Sequence, residues 1–229
     1  MKIGLLECDD VVGRFAHIQG GYREMFAALL PEFDFEFFAI HQDAFPKSTA
    51  DCDAWIATGS KHAVYEGHAW VERAAEFLRD LKEEKRPFVG ICFGHQLLAH
   101  ALGGEVAKAR QGWGAGVLPL EILRQEPWMQ PPKHAVRIQH MHQDQVQRLP
   151  EGSVLLGRSP HCEVGMFRVG QTMLGIEGHP EFTKEFGAAL IDWRRPRIGD
   201  VVADQAMKSL QTPNDGKTIG AWIAGFIRR

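Results

Sequence analysis

No segment of the 229 residues is long and apolar enough to cross a bilayer. The opening MKIGLLECDD has an apolar run too short for a secretory signal, and acids follow at once. The expected location is therefore the cytoplasm, with no membrane partner. Charge of one sign is also lacking. A formal net charge of -3 leaves no basic excess for nucleic acid and no acidic surplus for a disordered tail. Cysteine is sparse: Cys8, Cys52, Cys92 and Cys162 form no C-x-x-C pair and are too widely spaced for a compact zinc site. In a reducing compartment they are expected as free thiols, and Cys8, Cys52 and Cys162 as small core hydrophobes. There is no internal repeat, low-complexity tract or long linker, so residues 1–229 are read as a single domain. A Walker A loop and a dinucleotide fingerprint are both missing, and no cofactor is expected.

What is present is an ordinary globular composition, 45% hydrophobic and 24% charged, enough for one large core at this length. Short apolar runs alternate with helical patterns. Strands are expected at Lys2 to Glu7, Phe33 to Ile40, Asp53 to Ala57, Pro87 to Ile91 and Thr172 to Glu177. Helices are expected at Tyr22 to Leu30, Ala69 to Glu84, from Gly94 to a stop at Gly103-Gly104, and in the last third at Phe182 to Trp193, Val201 to Leu210 and Ile219 to Ile227. This alternation predicts an α/β fold with a doubly wound, mostly parallel, flavodoxin-like sheet. Between Glu105 and Val169 the segments are short, β-like and broken by Gly and Pro, which predicts antiparallel strands added to that sheet.

The segment Arg86 to His100 reads as strand, sharp turn and helix, with Gly90 and Gly94 two residues either side of Cys92. This is the G-x-nucleophile-x-G elbow with cysteine as the nucleophile. Side chains at the flanking positions would strike the neighbouring strand and helix. The thiol then projects at a helix N-terminus, whose dipole and free N–H groups are expected to favour thiolate and to hold an oxyanion. A nucleophilic thiol needs a base, and the base an orienting group. Among eleven histidines, His179 in Glu177-Gly-His-Pro-Glu181 is the best placed. A strand ends there, Pro180 blocks its continuation, and Glu181 can fix the tautomer of His179. In an α/β-hydrolase the acid precedes the histidine, whereas here it follows by two residues. A non-catalytic binding module on the same fold would need a lost member of the trio, and all three are present.

Gly90-Ile-Cys-Phe-Gly-His-Gln96 together with His179-Pro-Glu181 resembles the class I glutamine amidotransferase family. The likeness runs from about Trp55 to Phe182. It takes in Thr58-Gly59-Ser60, in the place of a glycine-rich oxyanion strand, and His142-Gln-Asp-Gln-Val146 before Leu149-Pro150. The resemblance implies that Cys92 attacks a γ-carboxamide, that His179 moves protons and that Glu181 orients His179. It further implies that Gly59 and Phe93 supply oxyanion N–H groups and that Gln96 holds the glutamine head group. The substrate would be glutamine or a γ-glutamyl compound, passing through a γ-glutamyl thioester. Two departures stand out: Ala57-Thr58-Gly59-Ser60-Lys61 replaces the commoner G-G-P-G form, and Glu177 precedes Gly178 where many members carry Gln.

An amidotransferase passes ammonia to a synthetase, and nothing in the chain looks like one. A separate synthetase subunit, or free-standing hydrolysis as in γ-glutamyl peptidases with a similar Gln111-Gly-Trp113 stretch, are the two readings. Ser60, Trp113 and His142 are further candidates for contact with substrate. His140 and His142 lie on one strand face but lack a clear third ligand, so no metal site is expected. Arg194-Arg-Pro-Arg197 reads as a solvated basic run after a helix.

Overall fold

The computed structural model describes residues 1–11 and 13–229. Its strands are β1 (Lys2–Leu6), β2 (Asp34–Phe38), β3 (Ala54–Ala57), β4 (Phe88–Ile91), β5 (Glu105–Lys108), β6 (Gly114–Ile122), β7 (Ala135–His142), β8 (Asp144–Arg148), β9 (Ser153–Arg158), β10 (Met166–Val169) and β11 (Met173–Ile176). Its α-helices are α1 (Ala16–Gln19), α2 (Tyr22–Leu29), α3 (Ala69–Glu83), α4 (Phe93–Ala101), α5 (Lys184–Ile198), α6 (Asp200–Ser209) and α7 (Gly216–Ile227). No helix among the described residues is long and apolar enough to cross a membrane.

Nine strands form a mixed sheet in the order β2-β1-β3-β4-β11-β10-β9-β6-β7. The first five are parallel, and β10, β9, β6 and β7 extend the sheet antiparallel. The central strands are apolar on both faces because helices cover both. Alternation sorts their side chains into two layers. Ile3, Leu5, Ile56, Val89, Ile91, Leu174 and Ile176 face α2 and α7, meeting Phe26, Trp222 and Ile223. Leu6, Trp55, Ala57, Phe88 and Met173 face α3 and α4, meeting Ala74, Leu78 and Leu97. In α3 the buried residues Val71, Ala74, Ala75, Leu78 and Leu81 recur at helical spacing, so one stripe meets the sheet. Each large side chain removed from water this way contributes about 1.5–3 kcal/mol.

A third apolar cluster lies off the sheet's extended half, where Phe182, Phe186, Leu190 and Ile191 pack with Val117 and Met141. The middle of the chain departs from expectation in one respect. β5 and β8 leave the main sheet and pair with each other as a two-stranded antiparallel ribbon. β8, unrecognised in the sequence, is mostly polar (DQVQR), so its alternation is weak.

The chain leaves β1 for β2 on one side and returns to β3 on the other, so the topology switches direction there. Clefts in such sheets open at the carboxyl ends of the strands. β3 ends at Ala57, β4 at Ile91 and β11 at Ile176. Their registers align Ala57 with Gly90 and Ile176 with Ile91, so Thr58, Cys92 and Glu177 follow at one edge.

Candidate active site

Cys92 caps α4 with φ 51° and ψ -102°, a left-handed backbone unusual for a residue with a side chain. The two flanking glycines explain how the turn closes. A Cβ on Gly90 would lie 2.2 Å from the Gly94 carbonyl oxygen, and one on Gly94 would lie 2.5 Å from that of Ala57. The Gly94 N–H donates to the Thr58 carbonyl at 3.2 Å, tying the Thr58-Gly59 strand end to the elbow. Thr58 is itself held by the Cys8 N–H, which donates to its hydroxyl at 3.0 Å. Gly59 therefore sits beside the elbow, and the Phe93 N–H faces the Cys92 sulfur.

The elbow does not by itself yield a thiolate, contrary to the sequence expectation. Cys92 is only 5% exposed. Burial pushes its thiol pKa well up, Glu177 and Glu181 push in the same direction, and Arg194 and the Phe93 N–H only partly offset them. A thiol held up in this way needs a base beside it to act as a nucleophile.

His179 lines the same cavity as Cys92. Its backbone N–H donates to the Gln139 carbonyl at 2.7 Å, its Nδ1 lies 2.7 Å from Glu181 Oε1, and its ring stacks on Phe182 at 4.0 Å and 5°. Glu181 accepts, so the ring's Nδ1 carries the proton and Nε2 is free to take another. A Cβ on Gly59 would meet His179 Cε1 at 2.8 Å and the Tyr22 hydroxyl at 3.2 Å. The imidazole thus packs directly against the Gly59 backbone, and it shares a cavity wall with Cys92. Thr183 caps α5, accepting from the Phe186 N–H at 3.2 Å, so the helix begins two residues later than the sequence suggests.

Beneath Cys92 lies a polar cluster closed to solvent. Glu177 is fully buried; Gln96 Nε2 donates to its Oε1 at 2.8 Å, and His95 Nε2 lies 3.4 Å from its Oε2. Burial holds the Glu177 carboxyl well above the usual carboxylate range, and it holds His95 down at about 3. The position of Glu177 two residues before His179 was the available signal for this proximity.

The expected substrate contacts fare unequally. Gln96 lines the cleft, but its amide already donates to Glu177 and to the Asp144 carbonyl at 2.9 Å. His142 is buried, its pKa lowered to about 3 by burial. Its Nδ1 lies 3.1 Å from the Asp144 carbonyl and its Nε2 3.0 Å from His140 Nδ1. Nδ1 must donate to the carbonyl, so Nε2 accepts and His142 has no donor left for a substrate. Ser60 and Trp113 both border the cleft.

Arg194 was missed. The basic run Arg194 to Arg197 is not a solvated tail: α5 continues through Pro196 to Ile198 and turns Arg194 into the cleft. Its guanidinium carbon lies 5.8 Å from the Trp113 ring centroid, and that of Arg197 5.2 Å. Arg194 Nε is buried without a partner. Arg195, by contrast, points outward and pairs with Asp200 and Asp204.

Two lobes meet at Cys92, and Ser60, Lys61, Met141 and Arg194 line both. The first holds His179 and an apolar wall of Phe15, Phe182, Phe186, Leu190 and Trp193. The second is polar and carries Phe93, Gln96, Lys108, Trp113 and Arg197. At its outer rim His62, Glu66 and His68 bring ligand atoms within 4.8 Å of one another, the one such group among the described residues. Glu66 lies 3.2 Å from His62 and 3.1 Å from His68, as ordinary surface pairs do.

Residues 32–192 match the family described as glutamine amidotransferase class-I. The chain is 32% identical over 182 residues to γ-glutamyl peptidase 4 of Arabidopsis thaliana, covering 76% of this chain and 72% of that protein. It is 35% identical over 112 residues to one of the subunits of the glutamine-hydrolysing GMP synthase of Archaeoglobus fulgidus, covering 48% of this chain and 61% of that one. In fold it is similar to a glutamine amidotransferase of Thermotoga maritima, with a TM-score of 0.75, 17% identity and coverage of 100% and 98% of the two chains.

Proposed function

Because the chain belongs to the class-I glutamine amidotransferase family, we propose that it hydrolyses the γ-amide of glutamine or of a γ-glutamyl compound through a thioester on Cys92. The observation that carries this reading is one cavity walled by both Cys92, on its strained elbow, and His179, anchored to Glu181 at 2.7 Å. His179 Nε2 takes the thiol proton as the sulfur attacks the γ-carbonyl carbon. The Gly59 and Phe93 N–H groups receive the oxyanion. His179 then protonates the departing nitrogen, the C–N bond breaks and the thioester remains. Water, deprotonated by His179, splits the thioester to glutamate and restores the thiol. Buried Gln96 and Glu177 hold the floor of the site, and Arg194 supplies the cation for the α-carboxylate of the glutamyl unit. Residues 1–229 act as one unit in this reading.

A glutamine-like diazoketone tests the assignment. It should alkylate Cys92 alone, because of the four cysteines only Cys92 lines the cavity that His179 lines, on an elbow whose Phe93 N–H faces its sulfur. A label mapped to Cys8, Cys52 or Cys162 would overturn the choice of nucleophile.

The similarity to a protein of GMP synthase supports a second reading, in which a separate synthetase receives the ammonia. The isolated chain separates the two: free-standing hydrolysis requires turnover without a partner, whereas a dependent glutaminase hydrolyses glutamine only when its synthetase is added.

A further inference from the structure

His179 assigns the two lobes. In amide cleavage the leaving nitrogen must take its proton from the imidazole, so the amine departs into the lobe that His179 lines. Phe93 and Gln96 line the other lobe, which is polar and takes the acyl half. The leaving-group lobe is walled by aromatic and branched side chains. Phe15 meets Phe186 and Trp193 edge-on at 5.9 and 5.8 Å, and Phe182 lies 4.6 Å from Phe186. Of the charged groups at its rim, Asp9 pairs with Lys61 at 2.7 Å, Asp10 accepts from Gln42 Nε2 at 3.1 Å, and Arg194 stands where this lobe meets the polar one. Trp193 is 42% exposed, although it is a large apolar ring at the cavity's edge. Ammonia needs none of this, since a small polar product gains nothing from apolar walls.

We propose that the physiological donor is a γ-glutamyl amide of a bulky apolar amine, an arylalkyl or branched alkyl amine, whose hydrophobic part fills the lobe between Phe15, Phe186, Leu190 and Trp193. This rests on the hydrolase reading above. The reaction remains a hydrolysis: the thiolate displaces R–NH2, His179 supplies its proton, and water then releases glutamate. The apolar lobe binds R in both ground and transition states and lets the amine leave in its uncharged form into a low-dielectric space.

The test compares glutamate release by the purified full chain from γ-glutamyl-phenethylamide, γ-glutamyl-methylamide, glutamine and glutathione. All four share one acyl group. The phenethylamide should exceed the methylamide in kcat/KM by at least about tenfold, with glutamine and glutathione no better than the methylamide. Trp193→Ala, at a half-exposed ring, and Phe186→Leu, which keeps the core filled, should each lower that ratio severalfold. Equal or faster turnover of the methylamide, glutamine or glutathione would overturn the proposal and leave the hydrolase reading standing. An unchanged ratio in both variants would equally overturn it, because the preference would then arise elsewhere. No glutamate from any donor, with no diazoketone label on Cys92, would sink both.

Discussion

Adding one methyl group at Gly59 is the sharpest perturbation the site offers. The Cβ of Gly59→Ala would lie 2.8 Å from His179 Cε1 and 3.2 Å from the Tyr22 hydroxyl. Carbon atoms rest at about 3.5–4.0 Å, so one partner must yield by roughly 0.7 Å or more. The imidazole cannot yield freely, being held by Glu181 at 2.7 Å and stacked on Phe182 at 4.0 Å. The Gly59 strand is held as well, by the Gly94 N–H on the Thr58 carbonyl. Either movement misaligns the base or an oxyanion donor, and a shift near 1 Å costs about 100-fold in rate. Gly59 lies outside the left-handed region, so alanine adds no backbone strain, and overpacking of this size costs about 1–3 kcal/mol of stability. We therefore expect kcat for glutamate release to fall about 100-fold while the protein stays folded. Gly13→Ala, with nothing within 4 Å of its added Cβ, is the matched control and should keep wild-type activity. Stopped assays of glutamate, paired with thermal melts, decide the matter. Wild-type kcat in Gly59→Ala, or a loss explained wholly by unfolding, would refute the packing argument.

Two further outcomes follow from buried charge. His95 and His142 are held near pKa 3 against 6.5 in the unfolded chain, so below pH 6.5 the unfolded chain binds protons that the folded chain refuses. Stability is unaffected above pH 6.5 and falls by about 1.4 kcal/mol per pH unit per histidine below it, roughly 4 kcal/mol for the pair at pH 5. Melting temperature should drop steeply from pH 6.5 to 5, and His95→Gln should shed about half of that slope; an unchanged slope in the variant would disprove the assignment. Arg194→Met keeps the stem against Trp113 and removes the cation, so KM for glutamine should rise about 10- to 100-fold with a smaller change in kcat. An unaltered KM would show that Arg194 does not meet the substrate's carboxylate.

Much of the site was legible in the chain because its parts are local. The elbow shows in sequence as Gly90, Cys92 and Gly94: a side chain on Gly90 would strike the turn itself, at Gly94 and His95, and one on Gly94 would strike Ala57 of the neighbouring β3. His179 and Glu181 lie two residues apart across a turn at Pro180 and meet within that local segment. The alternating apolar strands likewise sort themselves between two helical layers. Electrostatics and cavity shape were decided at longer range. The helix N-terminus before Phe93 favours a thiolate, but burial under α4, β11 and the Glu177 carboxyl outweighs it, and desolvation depends on every neighbour at once. Arg194 looked like a solvated cation because its helix was expected to end at Trp193; α5 instead runs on to Ile198, and its packing beside Val117 and Met141 brings Arg194 and Arg197 to the cleft while Arg195 points out. The division of the cleft into a polar and an apolar lobe has no sequence signature, because Phe15, Phe186 and Trp193 come together only when segments more than a hundred residues apart fold onto the same sheet edge.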